Sequence, residues 1–342
     1  MHIAEGILTG SSVVATSVAG GAVLAWGAVA MGKFTKTQPE RKPLLGMAGA
    51  FIFLVSLIPI PAFNGTCSHP CGTPLAGILL GPGIGAALAS LALLLQALFF
   101  AHGGLTTLGA NTLTLGFLGA GMGWLFFRIG RRMGLSVWAA AALGGFAGDI
   151  ATYLGAGLVL GSHLAFFSPS PKFSFLGYLE AIYLAYLPVQ GPISIGEMVF
   201  TAVVVNSIAR QRPEVLESLG VLPKTQVADP SRLAGVAALL LGFGLLMSSP
   251  ALAADSAPEP NAAPTETTPS FAGMDESVNE KMAEEAGAPS REPFINTEAM
   301  GDLWNFILLL GGGAAGFIIG RNWNQLFGRR EAVPPDPTRK AA

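Results

Sequence analysis

The residues with most chemical potential open the chain: Met1-His2-Ile3-Ala4-Glu5-Gly6-Ile7-Leu8. A histidine at position two lets one chain end offer three nitrogens to one ion: the α-amine, the His2 amide and the His2 imidazole. They close adjacent small chelate rings, which suits a divalent late transition metal in a square or tetragonal nitrogen field. An imidazole from elsewhere would supply a fourth nitrogen. Taken alone, His2 reads first as an ordinary residue near a helix start. Charge at Glu5 ahead of the apolar run argues against a signal peptide at Met1.

His69 differs from the other histidines in lying in a loop expected on the same membrane face as Met1. It lies in the loop Ala62-Phe63-Asn64-Gly65-Thr66-Cys67-Ser68-His69-Pro70-Cys71-Gly72-Thr73-Pro74, too rich in Gly and Pro for regular helix. Cys67 and Cys71 flank it, as a disulfide, two free thiols or soft-metal ligands; one His and two Cys leave a closed zinc site a ligand short. Asp149, Glu180 and Glu197 fall within apolar runs, where charge is costly and marks either function or helix–helix hydrogen bonding. Gln96, Asn111 and Asn206 read as interhelical polar contacts. His163 sits at a span end as a satisfied or solvated histidine, and His102 in a Gly-rich connector on the inner face, remote from Met1. There is no His-Glu-x-x-His, no Gly-x-Ser-x-Gly and no complete phosphate loop ending Gly-Lys-Ser/Thr.

The elements that position these groups are membrane helices. Hydrophobic residues make up 51% of the chain and charged residues 12%, about half the charge of a soluble domain. From Pro43 through Phe127 no Asp, Glu, Lys or Arg occurs in 85 residues, room for about three spans of ~20 residues. The fold class is therefore all-α, a polytopic membrane helix bundle. Spans are expected at about 7–31, 44–60, 75–100, 105–127, 135–160, 175–188 and 193–208. Lys33, Lys36, Arg41 and Lys42 mark a cytoplasmic loop, which puts Met1, His2 and His69 outside. By simple alternation Arg128, Arg131 and Arg132 also fall outside, against the positive-inside rule. Either a re-entrant piece around Gly81-Pro82-Gly83 changes the count, or this loop is an exception. Small-xxx-small spacings (Gly119/Gly123, Gly144/Gly148, Gly312/Gly316/Gly320) favour close helix packing within the bundle.

The chain divides into a core at 1–210, a cytoplasmic linker at 211–232, a two-span module at 233–330 and a cytoplasmic tail at 331–342. The run 233–254 ends like a signal peptide, Ala-Leu-Ala-Ala, and reads either as an uncleaved eighth span or as a cleavage site. Residues 255–301, rich in Pro, Ala, Glu, Ser and Thr, form an extracytoplasmic loop with poor order, apart from a short helix near 275–285.

The opening Met1-His2-Ile3-Ala4-Glu5-Gly6 and the loop Gly65-Thr66-Cys67-Ser68-His69 resemble the CbiM/NikM family. So do Ala76-Gly77-Ile78-Leu79-Leu80-Gly81-Pro82 and Gly103-Gly104-Leu105-Thr106-Thr107-Leu108-Gly109-Ala110-Asn111. That family supplies the cobalt- or nickel-binding component of energy-coupling factor transporters, and the likeness covers about residues 1–210. It implies Co2+ or Ni2+ as transported substrate, held by Met1, His2 and His69. Glu5, Thr66, Cys67, Ser68, Asn111 and Glu197 are candidates for the surrounding shell. It also implies a transmembrane coupling subunit, two ATPase subunits, a bacterial inner membrane, an outer amino terminus and a cytoplasmic carboxy terminus. The layout from Leu233 on resembles the small CbiN/NikN auxiliary subunit. Cys67 in place of the usual serine, and Pro70-Cys71 after the histidine, depart from the pattern and leave metal preference open. The rival readings are a secondary metal transporter without an ATPase, a non-transporting scaffold, and a membrane hydrolase built on Asp149 and Glu197.

Overall fold

The computed structural model describes residues 2–58, 60–61, 66–100, 102–223, 272–273 and 275–292. The run 233–254 and the second expected span of the 233–330 module, at 303–320 with its Gly312/Gly316/Gly320 ladder, lie outside the described residues.

Among the described residues, seven helices build the bundle. α1 (Gly10–Thr37) is apolar on every side up to Lys33 and lies at the periphery, with Val14, Val18 and Val29 more than half exposed. That suits a helix facing lipid. Its Gly27-x4-Gly32-Lys33 spacing matches part of a phosphate loop, but Phe34 follows and the run is continuous helix. α2 (Lys42–Val55) is shorter, at 14 residues. α3 (Thr73–Leu80) and α4 (Pro82–Phe99) follow the loop that carries His69. α5 (Leu108–Arg132) widens to π-helix over Thr112–Gly119. α6 (Val137–Phe166) and α7 (Phe175–Gln211) start at the serine caps Ser136 and Ser174, whose hydroxyls accept from Ala139 and Gly177 N–H. These caps satisfy amides that a helix start leaves open. A short α8 (Pro213–Ser218) closes the core. Three very short strands pair as one ribbon: β1 (Ile60–Pro61) antiparallel to β2 (Thr66–Ser68), and β2 parallel to β3 (Ala272–Gly273).

The polytopic helical class holds, while the seven-span count needs two corrections. The runs 175–188 and 193–208 are one helix of 37 residues, with Pro188 and Pro192 inside it. Membrane helices tolerate such prolines because neighbouring groups satisfy the freed carbonyls. The run 75–100 is two helices, not one. Gly81, at φ +88° and ψ 158°, holds a conformation reserved for glycine, and Pro82 begins the next helix. A Cβ on Gly85 would lie 3.2 Å from the Gly77 amide. Eight residues of straight helix span about 12 Å, so the chain folds back here. The re-entrant reading of Gly81-Pro82-Gly83 is the correct one.

With that turn, the arginines of α5 fall into place. Phe127, Leu135, Val137, Val205, Leu216 and Leu222 form one apolar cluster, which joins the end of α5 to the start of α6 and the end of α7. Arg41 donates to the Val215 carbonyl in the same region. Lys33–Lys42, Arg128–Arg132 and Arg210–Arg212 therefore share one end of the bundle. Ile3, Ile7, Leu8, Leu160, Leu164 and Tyr178 pack together at the other.

Between the ends, glycines set helix spacing. A Cβ on Gly144 would come within 2.6 Å of the Gly123 carbonyl, and one on Gly148 within 2.5 Å of Gly119. The paired small-xxx-small spacings thus mate α6 to α5 inside the chain.

Candidate metal centre

Residues 2–8 do not run straight into α1. They tuck into the bundle, with His2, Ile3, Ile7 and Leu8 essentially unexposed. Asn111 holds them as a backbone would: its Oδ1 accepts from Ile3 N–H at 2.9 Å and its Nδ2 donates to Ile3 C=O at 3.1 Å. Thr107 adds a 2.6 Å bond to the same carbonyl. Glu5 is fixed by the Thr106 hydroxyl at 2.5 Å and amide at 3.1 Å. The stretch 103–111 is therefore a cradle for the amino terminus, and Gly104 fits only because it lacks a Cβ, which would sit 2.6 Å from Glu5 Cα.

His69 meets this segment from the opposite side. Its Nε2 lies 3.2 Å from His2 Nδ1. Two nitrogens bound cis on one ion at ~2.0 Å would be about 2.8 Å apart, so this spacing fits a shared ion. His2 Nε2 is buried with no hydrogen-bond partner. Burial holds both imidazoles well below the ordinary histidine pKa, and repulsion from neighbouring cationic groups adds to the effect. They are accordingly neutral at neutral pH, the form that ligates.

The third imidazole corrects the sequence reading. His102 stacks edge-on against His2 with ring centroids 4.2 Å apart, and lies 5.5 Å from His69. One donor atom from each of the three lies within 4.8 Å of the others. Counting an unbroken span at 75–100 sends His102 to the far face; the turn at Gly81 returns it. The Gly81-Pro82-Gly83 run was the signal available.

The remaining candidates divide. Ser68 Oγ pairs with Tyr153 Oη at 2.9 Å and donates to Gln190 at 3.0 Å, and Tyr153 donates to the His69 carbonyl at 2.8 Å. Glu197 accepts from the amides of Cys71 and Gly72 at 2.6 and 2.7 Å, so it anchors the His69 loop from α7. Asp149, in α6, accepts from Gln190 at 2.7 Å and Ser194 at 2.5 Å. Glu180 is exposed and apart from the site. His163 is buried at the base of α1, where its Nδ1 meets Ser12 Oγ at 2.9 Å. Cys71 is a free, buried thiol, which removes the disulfide alternative. Met1 and the side chains of Thr66 and Cys67 lie outside the described residues.

The described residues between 272 and 292 touch this end too. β3 extends the ribbon that carries Ser68, Arg291 N–H donates to the Glu5 carbonyl at 2.8 Å, and Tyr186 donates to Asn279.

Comparison with known proteins identifies the family. The profile of the CbiM family, described as the cobalt uptake substrate-specific transmembrane region, matches residues 2–215. A cobalt transport protein CbiM of Geobacter sulfurreducens is 38% identical over 331 residues, covering 96% of this chain and 91% of its own length. One from Streptomyces coelicolor is 36% identical over 222 residues, covering 65% of this chain and 94% of its own. A crystal structure of a transition metal transporter superposes with a TM-score of 0.54 at 28% identity, covering 64% of this chain and 98% of that one. A cradled amino terminus and converging imidazoles, within a helical core matched over 214 residues, place this chain in the CbiM family of cobalt-uptake transmembrane components.

Proposed function

We propose that this chain captures Co2+ from outside the cell as the substrate-binding subunit of an energy-coupling-factor importer. The observation that carries the proposal is the 3.2 Å approach of His2 Nδ1 to His69 Nε2, with His102 beside them. The ion binds the Met1 amine, the His2 amide and imidazole, and His69 Nε2, with His102 completing the imidazole wall. Ni2+ suits the same donors and is the competing substrate.

Orientation follows from charge. Lys33, Lys36, Arg41, Lys42, Arg128, Arg131, Arg132, Arg210 and Arg212 share the end away from the imidazoles, which makes that end cytoplasmic. The membrane is the bacterial inner membrane, with the site on its outer side. The chain carries no complete nucleotide-binding loop, so release of an ion held by this many donors draws on a coupling subunit and two ATPases.

In mechanism, the described residues bind, orient and exclude water. Asn111, Thr107 and Thr106 clamp residues 3–5, so the chain start is held over the site. Tyr153 and Glu197 fix the backbone on both sides of His69. Such supporting groups orient ligands and raise affinity.

The test is Co2+ accumulation in cells, with Co2+ binding by the purified chain. Replacing His2 or His69 by Ala, or adding one residue before Met1, is expected to abolish both. Unchanged binding in all three overturns the ligand set. Uptake by this chain alone, insensitive to ATP depletion, overturns the importer complex and supports a secondary transporter.

A further inference from the structure

Two residues past His69, a second set of donors lies buried between α6 and α7. Cys71, Asp149 and Glu197 each place one ligand atom within 4.8 Å of the other two. Cys71 and Asp149 are 0% exposed and Glu197 4%. Among the described residues, no Lys or Arg pairs with either carboxylate. Asp149 Oδ2 is engaged by Gln190 and Ser194, while Oδ1 is buried without a hydrogen-bond partner. Two further buried hydroxyls lack partners: Thr73 Oγ1, next to Gly72, and Thr201 Oγ1, one turn beyond Glu197. Glu197 accepts from the Cys71 and Gly72 amides, one on each oxygen, so the carboxylate oxygen left open is Asp149 Oδ1, and an apolar interior does not hold it beside a second carboxylate and a thiol at no cost. A cation resolves it.

We propose that Cys71, Asp149 and Glu197 form a second station for a divalent, thiophilic transition-metal ion, placed to receive it from the imidazole cluster. A thiolate with two carboxylates is a donor set suited to Co2+ and poor for Mg2+. The station deepens the metal-carrier reading and rests on it. Two residues of chain reach at most ~7 Å, so the step from His69 to Cys71 is short. The two sets are also wired together. Ser68, beside His69, donates to Gln190, and Gln190 donates to Asp149. An ion drawn to Asp149 therefore pulls on the residue next to the first ligand.

The experiment titrates the purified full chain with Co2+ alone and follows absorption and bound stoichiometry. Wild type is expected to take a second equivalent, accompanied by a thiolate-to-cobalt charge-transfer band. Cys71→Ser and Asp149→Asn should lose the band and that equivalent while keeping the first, which reports that they fold. No band in wild type at saturating Co2+, or a band that survives Cys71→Ser, overturns the station. His2→Ala and His69→Ala judge the other site separately. If they leave the first equivalent intact, the imidazole capture reading fails, whatever the band does.

Discussion

At the scale of single residues, three imidazoles are brought together, and burial holds His2 and His69 well below the ordinary histidine pKa. Asn111 is the most informative supporting group, because it bonds both the amide and the carbonyl of Ile3. Replacing it by Ala leaves the Ile3 amide without its partner and the Ile3 carbonyl to Thr107 alone, and loosens the chain start. We predict that Asn111→Ala weakens Co2+ binding about 10–100-fold, measured by titration of the purified chain; unchanged affinity would refute the clamp. Burial lowers the pKa of His2 and His69, so each accepts its proton only at pH below the ordinary ~6.5. Nitrogen NMR of the metal-free, histidine-labelled chain should show both rings still neutral at pH 6.5. Titration at or above that value would contradict their burial.

At the scale of elements, Gly81 decides where His102 goes. Its positive φ costs a side chain ~1–3 kcal/mol, and relief of that strain opens the hairpin between α3 and α4. Gly81→Val is expected to lower the thermal midpoint in detergent and to weaken Co2+ binding together, since α4 leads directly to His102. Loss of stability with full binding would separate the turn from the site. The α5–α6 contact behaves differently. Gly148→Leu drives a side chain into the Gly119 carbonyl and Pro74, an overpacking cost of about 1–3 kcal/mol. Thermal unfolding in detergent measures it, and a midpoint equal to wild type would argue against the close helix approach.

Across the whole molecule, the core at 2–223 and the segment at 272–292 meet at the imidazole end. The Streptomyces relative aligns over 222 residues, 94% of its own length but 65% of this chain, whereas the Geobacter relative aligns over 331 residues, 96% of this chain. A chain ending at 223 should therefore keep its bound ion. It loses the contacts of Arg291 and Asn279 with the core, each hydrogen bond contributing about 1 kcal/mol. Exchange of bound Co2+ with a chelator should accelerate about tenfold. An unchanged rate would mean that the segment does not gate the ion.

Composition alone settled the class of protein: 85 consecutive residues without Asp, Glu, Lys or Arg have no stable place in water and must be helices in lipid. Local chemistry also marked the chain start and His69, because chelation by an amine, an amide and an imidazole is a property of neighbouring atoms. What the tertiary structure decided was which loops share an end. Crossing counts treat each apolar run as one passage, so the glycine turn at Gly81 and the proline-bearing 37-residue helix both escaped a reading by length. His102 moved to the site as a result, and Arg128–Arg132 moved away from it. The grouping of Cys71 with Asp149 and Glu197 was equally invisible in order of residues, since it joins positions up to 126 apart. Such pairings depend on how helices pack, and glycine-to-glycine contacts between α5 and α6 fix that in three dimensions only.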